Sequence, residues 1–158
     1  MDPVSKTRRN FIIKAGMAVP LLSQIPWNFH NANAMTEEIL QVPENIQRDL
    51  TRLFGKQAEK IVSTNKIKLK APEIAENGSV VPVTVEGDKR YVLSAALFVD
   101  KNPKPLTCQF ILHEGSDLPV STRIKVGQTS DVYLIAQTKE GLVGVKHNVK
   151  VTIGCGGV

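Results

Sequence analysis

The sequence predicts a mainly β, antiparallel sandwich of about seven short strands, with a short N-terminal helix. Apolar residues at every second position, as in the run through Leu93, Ala95, Leu97 and Val99, have the period of a half-buried strand. Clusters rich in Gly, Asn, Asp and Pro separate such runs about every dozen residues. Short strands with this spacing of turns are typical of an immunoglobulin-like sandwich.

The composition is that of one ordinary globular domain. The chain has 158 residues, of which 42% are hydrophobic and 22% charged, enough for a single core. The formal net charge is +5, but the first 34 residues carry +3 of it, and later lysines are interspersed with glutamates. A surface that follows the phosphates of a nucleic acid is therefore not indicated.

Residues 1–34 have the layout of a twin-arginine export signal. Arg8 and Arg9 precede an apolar stretch that opens at Phe11 and is too short for a membrane span of roughly 20 residues. The Ala-Asn-Ala at the end of this segment fits a signal cleavage site, so we expect a mature periplasmic chain that starts at Met35 without a membrane anchor. The alternative is a basic N-terminal helix that stays attached.

Apolar residues at helical spacing predict a short helix within residues 35–65 that docks on the sandwich. These residues are Ile46, Leu50, Leu53 and Phe54. Pro43 suits the start of this helix, and Gly55 supplies a C-terminal stop. Residues 66–153 are then the sandwich itself.

A single thiol stands on a glycine-rich C-terminal tail. Cys155 lies between Gly154 and the pair Gly156 and Gly157. Glycine permits many backbone conformations and weakens strand pairing, so we expect residues 154–158 to form a flexible arm.

The second cysteine has a different setting. Alternation places Leu106, Cys108, Phe110 and Leu112 on one face of a strand. Cys108 is therefore predicted to be a small buried core residue.

Three uses of Cys155 compete. A disulfide to Cys108 suits an oxidising compartment and an even number of cysteines. Metal ligation is disfavoured because no CxxC motif or histidine cluster accompanies the thiol, and His147 on an apolar strand face is more often a core histidine. The third use is a covalent carrier, because a thiolate is a nucleophile and an attachment atom. The flanking glycines are slim enough to enter a narrow active-site channel, and the extended arm is at most roughly 17 Å long.

The sequence contains no recognisable catalytic constellation. Asp117, Asp131, His113 and His147 show no motif spacing, and the tail has no base, acid or oxyanion donor. Chemistry on a group held by Cys155 would therefore belong to a partner enzyme.

Several stretches resemble the SoxY family, the sulfur-carrying subunits of the SoxYZ complex in bacterial thiosulfate oxidation. The resemblance runs from about Glu44 to the C terminus and includes APEIAENGSVVPVTVEG, LFVDKNPKPLTCQF, STRIKVGQTSDVYLIAQT and VKVTIGCGG. The family tail is usually Gly-Gly-Cys-Gly-Gly. Here Ile153 stands in place of the first glycine and Val158 is appended.

The resemblance implies a division of labour between carrier and enzymes. A heme-containing partner couples thiosulfate to Cys155 as a cysteine S-thiosulfonate, a hydrolase releases sulfate and leaves a persulfide, and a sulfane dehydrogenase is a further candidate partner. SoxZ is the implied heterodimer partner, and the carrier itself has no catalytic residue, metal or cofactor. The alternative is an exported, non-catalytic immunoglobulin-like binding module with a structural Cys108–Cys155 disulfide.

Overall fold

A computed structural model describes residues 38–113 and 116–153 of the chain. The predicted export signal with Arg8 and Arg9 lies outside the described residues. Within them, no helix is long and apolar enough to cross a membrane.

The described residues form one α-helix, a short 3₁₀ turn and nine β-strands. The helix is α1, Glu44–Phe54, and the 3₁₀ turn is Gly55–Glu59. The strands are β1 (Ile61–Ser63), β2 (Ile67–Lys70), β3 (Ile74–Asn77), β4 (Val81–Gly87), β5 (Val92–Val99), β6 (Leu106–Ile111), β7 (Val120–Ile124), β8 (Ser130–Thr138) and β9 (Leu142–Ile153).

The nine strands are divided between two sheets. The larger sheet has the order β1-β9-β8-β5-β6, with β3 paired to the far end of β9, and the smaller sheet has the order β2-β4-β7. The pairs β5–β6, β5–β8 and β8–β9 are antiparallel, as are both pairs of the smaller sheet. β1 and β3 run parallel to β9.

The prediction of a mainly β, immunoglobulin-like sandwich is confirmed, with two differences. Nine strands are present among the described residues rather than about seven, because β1 and β3 are too short to show an alternating pattern. These two strands are also parallel to β9, since the chain leaves the larger sheet after β1, forms β2 in the smaller sheet and returns as β3. β1 begins within the segment 35–65 that the sequence assigned to the N-terminal helix.

The helix α1 forms at the predicted position. Pro43 precedes its first residue, and Gly55 follows it with a φ of 58°, in the left-handed region that favours glycine. Ile46 and Leu50 are fully buried on its inner side.

The larger sheet is apolar on both faces. Leu97 and Leu134 face the smaller sheet and form the inner core with Val83. Phe98 and Ile135 face the other way and form an outer core beneath α1. The sandwich therefore has three layers, in which a helix covers what would otherwise be an exposed apolar sheet face.

A β-bulge in β6 changes the face of one predicted core residue. The β5–β6 register shifts between the pairs Leu97–Cys108 and Phe98–Leu106, which leaves Thr107 as an extra residue. Leu106 therefore belongs to the outer core, whereas Cys108 packs against the inner core. The prediction that these two side chains share a face is wrong, because a one-residue insertion reverses the alternation on one side of it.

Candidate functional site

β9 leads directly to the predicted carrier arm. Cys155 and its neighbours Gly154, Gly156 and Gly157 lie outside the described residues, and β9 ends one residue before them at Ile153. The structure therefore shows what holds the base of the arm.

The base of the arm is hydrogen-bonded on two sides. Residues 142–149 of β9 pair with β8, and the end of the strand pairs with β3. The Val151 amide donates to Thr129 Oγ1 at 3.0 Å, and the Lys150 amide donates to the Glu73 carbonyl at 2.8 Å. These bonds fix the backbone to the last described residue.

Ile153 itself is part of the sheet. It is in register with Asn77 of β3. The residue that departs from the family tail thus continues the strand, so any hinge of the arm has to lie beyond it.

The turn between β3 and β4 packs tightly against this end of β9. A Cβ atom on Gly78 would lie 2.2 Å from the Val126 carbonyl oxygen and 2.8 Å from Val151 Cγ1. The Val126 amide also donates to the Gly78 carbonyl at 2.7 Å. Only glycine fits this contact, which could not be predicted from the sequence beyond the turn-forming Asn-Gly-Ser.

Cys108 is a free, half-buried thiol rather than a fully buried one. It packs against the inner core, and burial raises the pKa of its thiol above the ordinary value. Since the thiolate is the reactive form, this cysteine is a poor nucleophile at neutral pH.

The register of the larger sheet gives the position of Cys108 relative to β9. Cys108 is opposite Leu97 of β5, which is opposite Leu134 of β8, which is opposite Val145 of β9. Three strand spacings separate the ends of this row, a distance of about 14 Å.

The C-terminal arm starts far from that row. Ile153 lies eight residues beyond Val145, which is about 26 Å along the strand. The two residues from Ile153 to Cys155 span at most about 7 Å, and a disulfide needs Cα atoms within about 6.8 Å. A bridge from Cys155 to Cys108 would require the end of β9 to unpair, so the observed pairing is incompatible with the disulfide alternative.

The residues considered for a rival catalytic site are dispersed. They are His113, His147, Asp117 and Asp131. Asp117 pairs with Lys89 at 3.5 Å on the exposed surface. Asp131 accepts a hydrogen bond from Asn148 Nδ2 at 2.7 Å. His147 is on the opposite face of the sheet, and its buried Nε2 has no hydrogen-bond partner among the described residues. Nowhere in residues 38–113 and 116–153 do three His, Cys, Asp or Glu side chains form a metal-binding group.

Comparison with known proteins decides the family. The family model for SoxY, described as sulfur oxidation protein SoxY, matches residues 50–155. The chain belongs to the SoxY family. The match begins in α1 and ends on Cys155, so it includes the whole sandwich and the predicted attachment residue. The SoxY resemblance inferred from sequence motifs is confirmed.

A solved SoxY structure has the same fold. It is the sulfur carrier protein SoxY from Chlorobium limicola f thiosulfatophilum, which is 30% identical, with a TM-score of 0.61 over 70% of this chain and 98% of that chain. No curated protein matches the chain.

We predict that Gly78→Ala destabilises this SoxY-family protein. The added methyl group would overlap the Val126 carbonyl oxygen and Val151 Cγ1, so the backbone would have to shift. The free energy of unfolding, measured by urea denaturation, should therefore fall by about 1–3 kcal/mol. Gly127→Ala is the matched control, because the nearest atom to its Cβ would be 3.4 Å away. Equal stability of the two variants would contradict the tight contact.

We also predict that Cys108 resists alkylation. In a buffer at about pH 7.5, Cys108 should react with iodoacetamide at least about tenfold more slowly than Cys155. The raised pKa of the Cys108 thiol and its half-burial both reduce the amount of accessible thiolate. Peptide mapping over time separates the two rates, and Cys155→Ala isolates the slower one. Equal rates would show that the Cys108 thiol is accessible.

Proposed function

We propose that this chain is a periplasmic sulfur carrier that holds intermediates of sulfur oxidation on Cys155. The observation that carries the proposal is the family match, which extends through the sandwich to Cys155. The similar protein from Chlorobium limicola f thiosulfatophilum is itself a sulfur carrier. A covalent carrier needs an attachment atom close to a fixed part of the protein backbone, and the hydrogen-bonded end of β9 is such a part.

The proposed cycle uses the Cys155 sulfur in two steps. The thiol and thiosulfate first lose two electrons and one proton to a heme-containing partner and form a new S–S bond, which gives Cys–S–S–SO₃⁻. A hydrolase then adds water across the bond to the terminal sulfur, so that sulfate leaves with a proton and a persulfide remains. A sulfane dehydrogenase is a further proposed partner for that persulfide.

The carrier has no catalytic part in this cycle. The acidic and histidine residues considered for a catalytic site lie on different surfaces of the sandwich, and Cys108 is held against the core. We propose that the partners supply the bases and electron acceptors, and that the carrier needs no metal or cofactor because the intermediate is bound covalently. Export by the twin-arginine signal of residues 1–34 would deliver the folded carrier to the periplasm.

We propose SoxZ as the stable partner, docked at the edge strand β6. β6 is the outermost strand of the larger sheet and has no lysine or proline to discourage pairing with another chain. Ile111 is 61% exposed at its end, beside Leu93, which is 40% exposed and whose carbonyl accepts from the Leu112 amide. Both edges of the smaller sheet, β2 and β7, carry cationic side chains.

The carrier function is tested by the intact mass of the full chain after incubation with thiosulfate and the heme-containing partner. We expect a gain of one thiosulfonate group that disappears in Cys155→Ala and persists in Cys108→Ala. A chain two hydrogens lighter than the reduced form, inert to the partner and crosslinked between Cys108 and Cys155, would instead establish the structural-disulfide alternative.

SoxZ docking is tested separately by sedimentation of the mixed subunits. Ile111→Lys should weaken the heterodimer at least about tenfold, because the contact would bury an unpaired charge. Ile74→Lys is the matched control, since Ile74 is 59% exposed but lies on β3. If Ile111→Lys binds SoxZ as tightly as this control does, β6 is not the docking edge.

A further inference from the structure

The end of the sandwich at which β9 terminates also carries a basic depression. Its volume is about 580 Å³, and it lies between the β5–β6 and β7–β8 turns. We define the basic depression by its lining residues, which are Lys101, Asn102, Pro103, Lys104, Lys125, Gly127 and Gln128.

The backbone of the basic depression is fixed by one asparagine. Asn102 Nδ2 donates to the Lys125 carbonyl at 2.8 Å, and the Gly127 amide donates to Asn102 Oδ1 at 3.0 Å. The Lys101 amide donates to Ser130 Oγ at 3.0 Å. These bonds join the two turns, so a ligand would need to order only the lysine side chains.

Among the described residues, the three lysines of the basic depression have no counterion. Some lysines elsewhere in the sandwich pair with carboxylates, as Lys89 does with Asp117 and Lys146 with Asp131. Across residues 38–113 and 116–153, no carboxylate lies within 4.0 Å of the Lys101, Lys104 or Lys125 ammonium groups. Adjacent ammonium groups without partners create a local positive potential that attracts anions.

The basic depression is close to the base of the arm. Gln128, one of its lining residues, is followed by Thr129, whose hydroxyl accepts from the Val151 amide at 3.0 Å. Cys155 is four residues beyond Val151, a span of at most about 14 Å. A group attached to Cys155 is therefore held within a short tether of the lysines.

We propose that the basic depression binds a sulfur oxyanion of the –SO₃⁻ type. The anion has two sources, the group that the proposed function places on Cys155 and free thiosulfate in solution. The three lysine ammonium groups can donate hydrogen bonds to the three oxygens of a sulfonate, which share its negative charge. Each ammonium group also acts as a compact positive charge. The identity of the tethered ligand rests on the proposed carrier function, whereas binding of the free anion does not.

Tethering makes even a weak site relevant. Exposed lysines bind small anions weakly, and salt screens the attraction over about 10 Å at 0.1 M ionic strength. A short tether, however, raises the effective concentration of the attached group to about the millimolar range. The basic depression would thus hold an anionic intermediate beside the sandwich and release it when a partner competes for it.

The test is amide-resolved NMR of the full chain in a Cys108→Ala background. Free thiosulfate is the first probe. For the second, tetrathionate loads Cys155 chemically: the thiolate attacks an inner sulfur, Cys–S–S–SO₃⁻ forms, and thiosulfate leaves and is removed by dialysis. Cys155 capped with a neutral carbamidomethyl group shows whether modification of the thiol alone shifts the amides. The Gly141 amide, at the opposite end of β9, shows whether a shift is confined to the basic depression.

We expect both probes to shift the Asn102 and Gly127 amides, while the neutral cap leaves them in place. The double variant Lys101→Gln with Lys125→Gln should weaken thiosulfate binding at least about tenfold at low salt. Lys139→Gln, which removes one exposed charge in the distant β8–β9 turn, should change it less than about twofold.

The possible outcomes distinguish the two sources of the anion, and they distinguish the binding site from the proposed carrier function. A response to free thiosulfate alone supports the site with the solution anion as its ligand, and a response to the loaded thiol alone supports the tethered ligand. No shift with either probe, or a double variant that responds like the parent, overturns the site. Chemical loading of Cys155 needs no partner enzyme. If the NMR experiment shows no binding, the mass test of the carrier function is unaffected. If the mass test fails, the thiosulfate titration still tests the binding site.

Discussion

The pairing of β9 holds the N-terminal strands, the larger sheet and the start of the C-terminal arm together. This strand pairs antiparallel with β8 along residues 142–149 and parallel with β1 and β3 at its two ends. It thereby joins the N-terminal strands to the larger sheet and contributes Val143 and Val149 to the inner core. Because the ladder continues to Ile153, the same interaction that closes the sandwich also fixes the point from which the C-terminal arm begins.

The order of strands in the larger sheet separates Cys108 from the start of the C-terminal arm in this SoxY-family chain. Cys108 is two positions inside an edge strand, against a core that raises the pKa of its thiol. Cys155 comes two residues after the end of β9, which is three strands away from β6 in the same sheet. The raised pKa of the Cys108 thiol disfavours covalent chemistry at that sulfur at neutral pH.

The end of the sandwich around the arm base is built from distant turns. Gly78 allows the β3–β4 turn to approach Val151, Thr129 accepts from the Val151 amide, and Asn102 joins the β5–β6 and β7–β8 turns. The hydrogen bonds among these contacts join backbone groups to the side chains of Thr129 and Asn102, so they do not involve the lysine side chains between the turns. In the described part of the chain, Lys101, Lys104 and Lys125 have no carboxylate partner, so their ammonium groups are available to an anion.

Features that depend on neighbouring residues could be predicted from the sequence. Helical spacing between Pro43 and Gly55 predicts α1, period-two alternation predicts the longer strands, and four stretches that include VKVTIGCGG indicate the family that the match over residues 50–155 shows. The remaining features depend on tertiary contacts. The bulge at Thr107 moved Leu106 to the outer core, β1 and β3 became parallel partners of β9, and lysines from two turns met in one depression. Periodicity is a property of a few consecutive residues, whereas register, strand direction and the meeting of turns depend on hydrogen bonds between segments far apart in the chain.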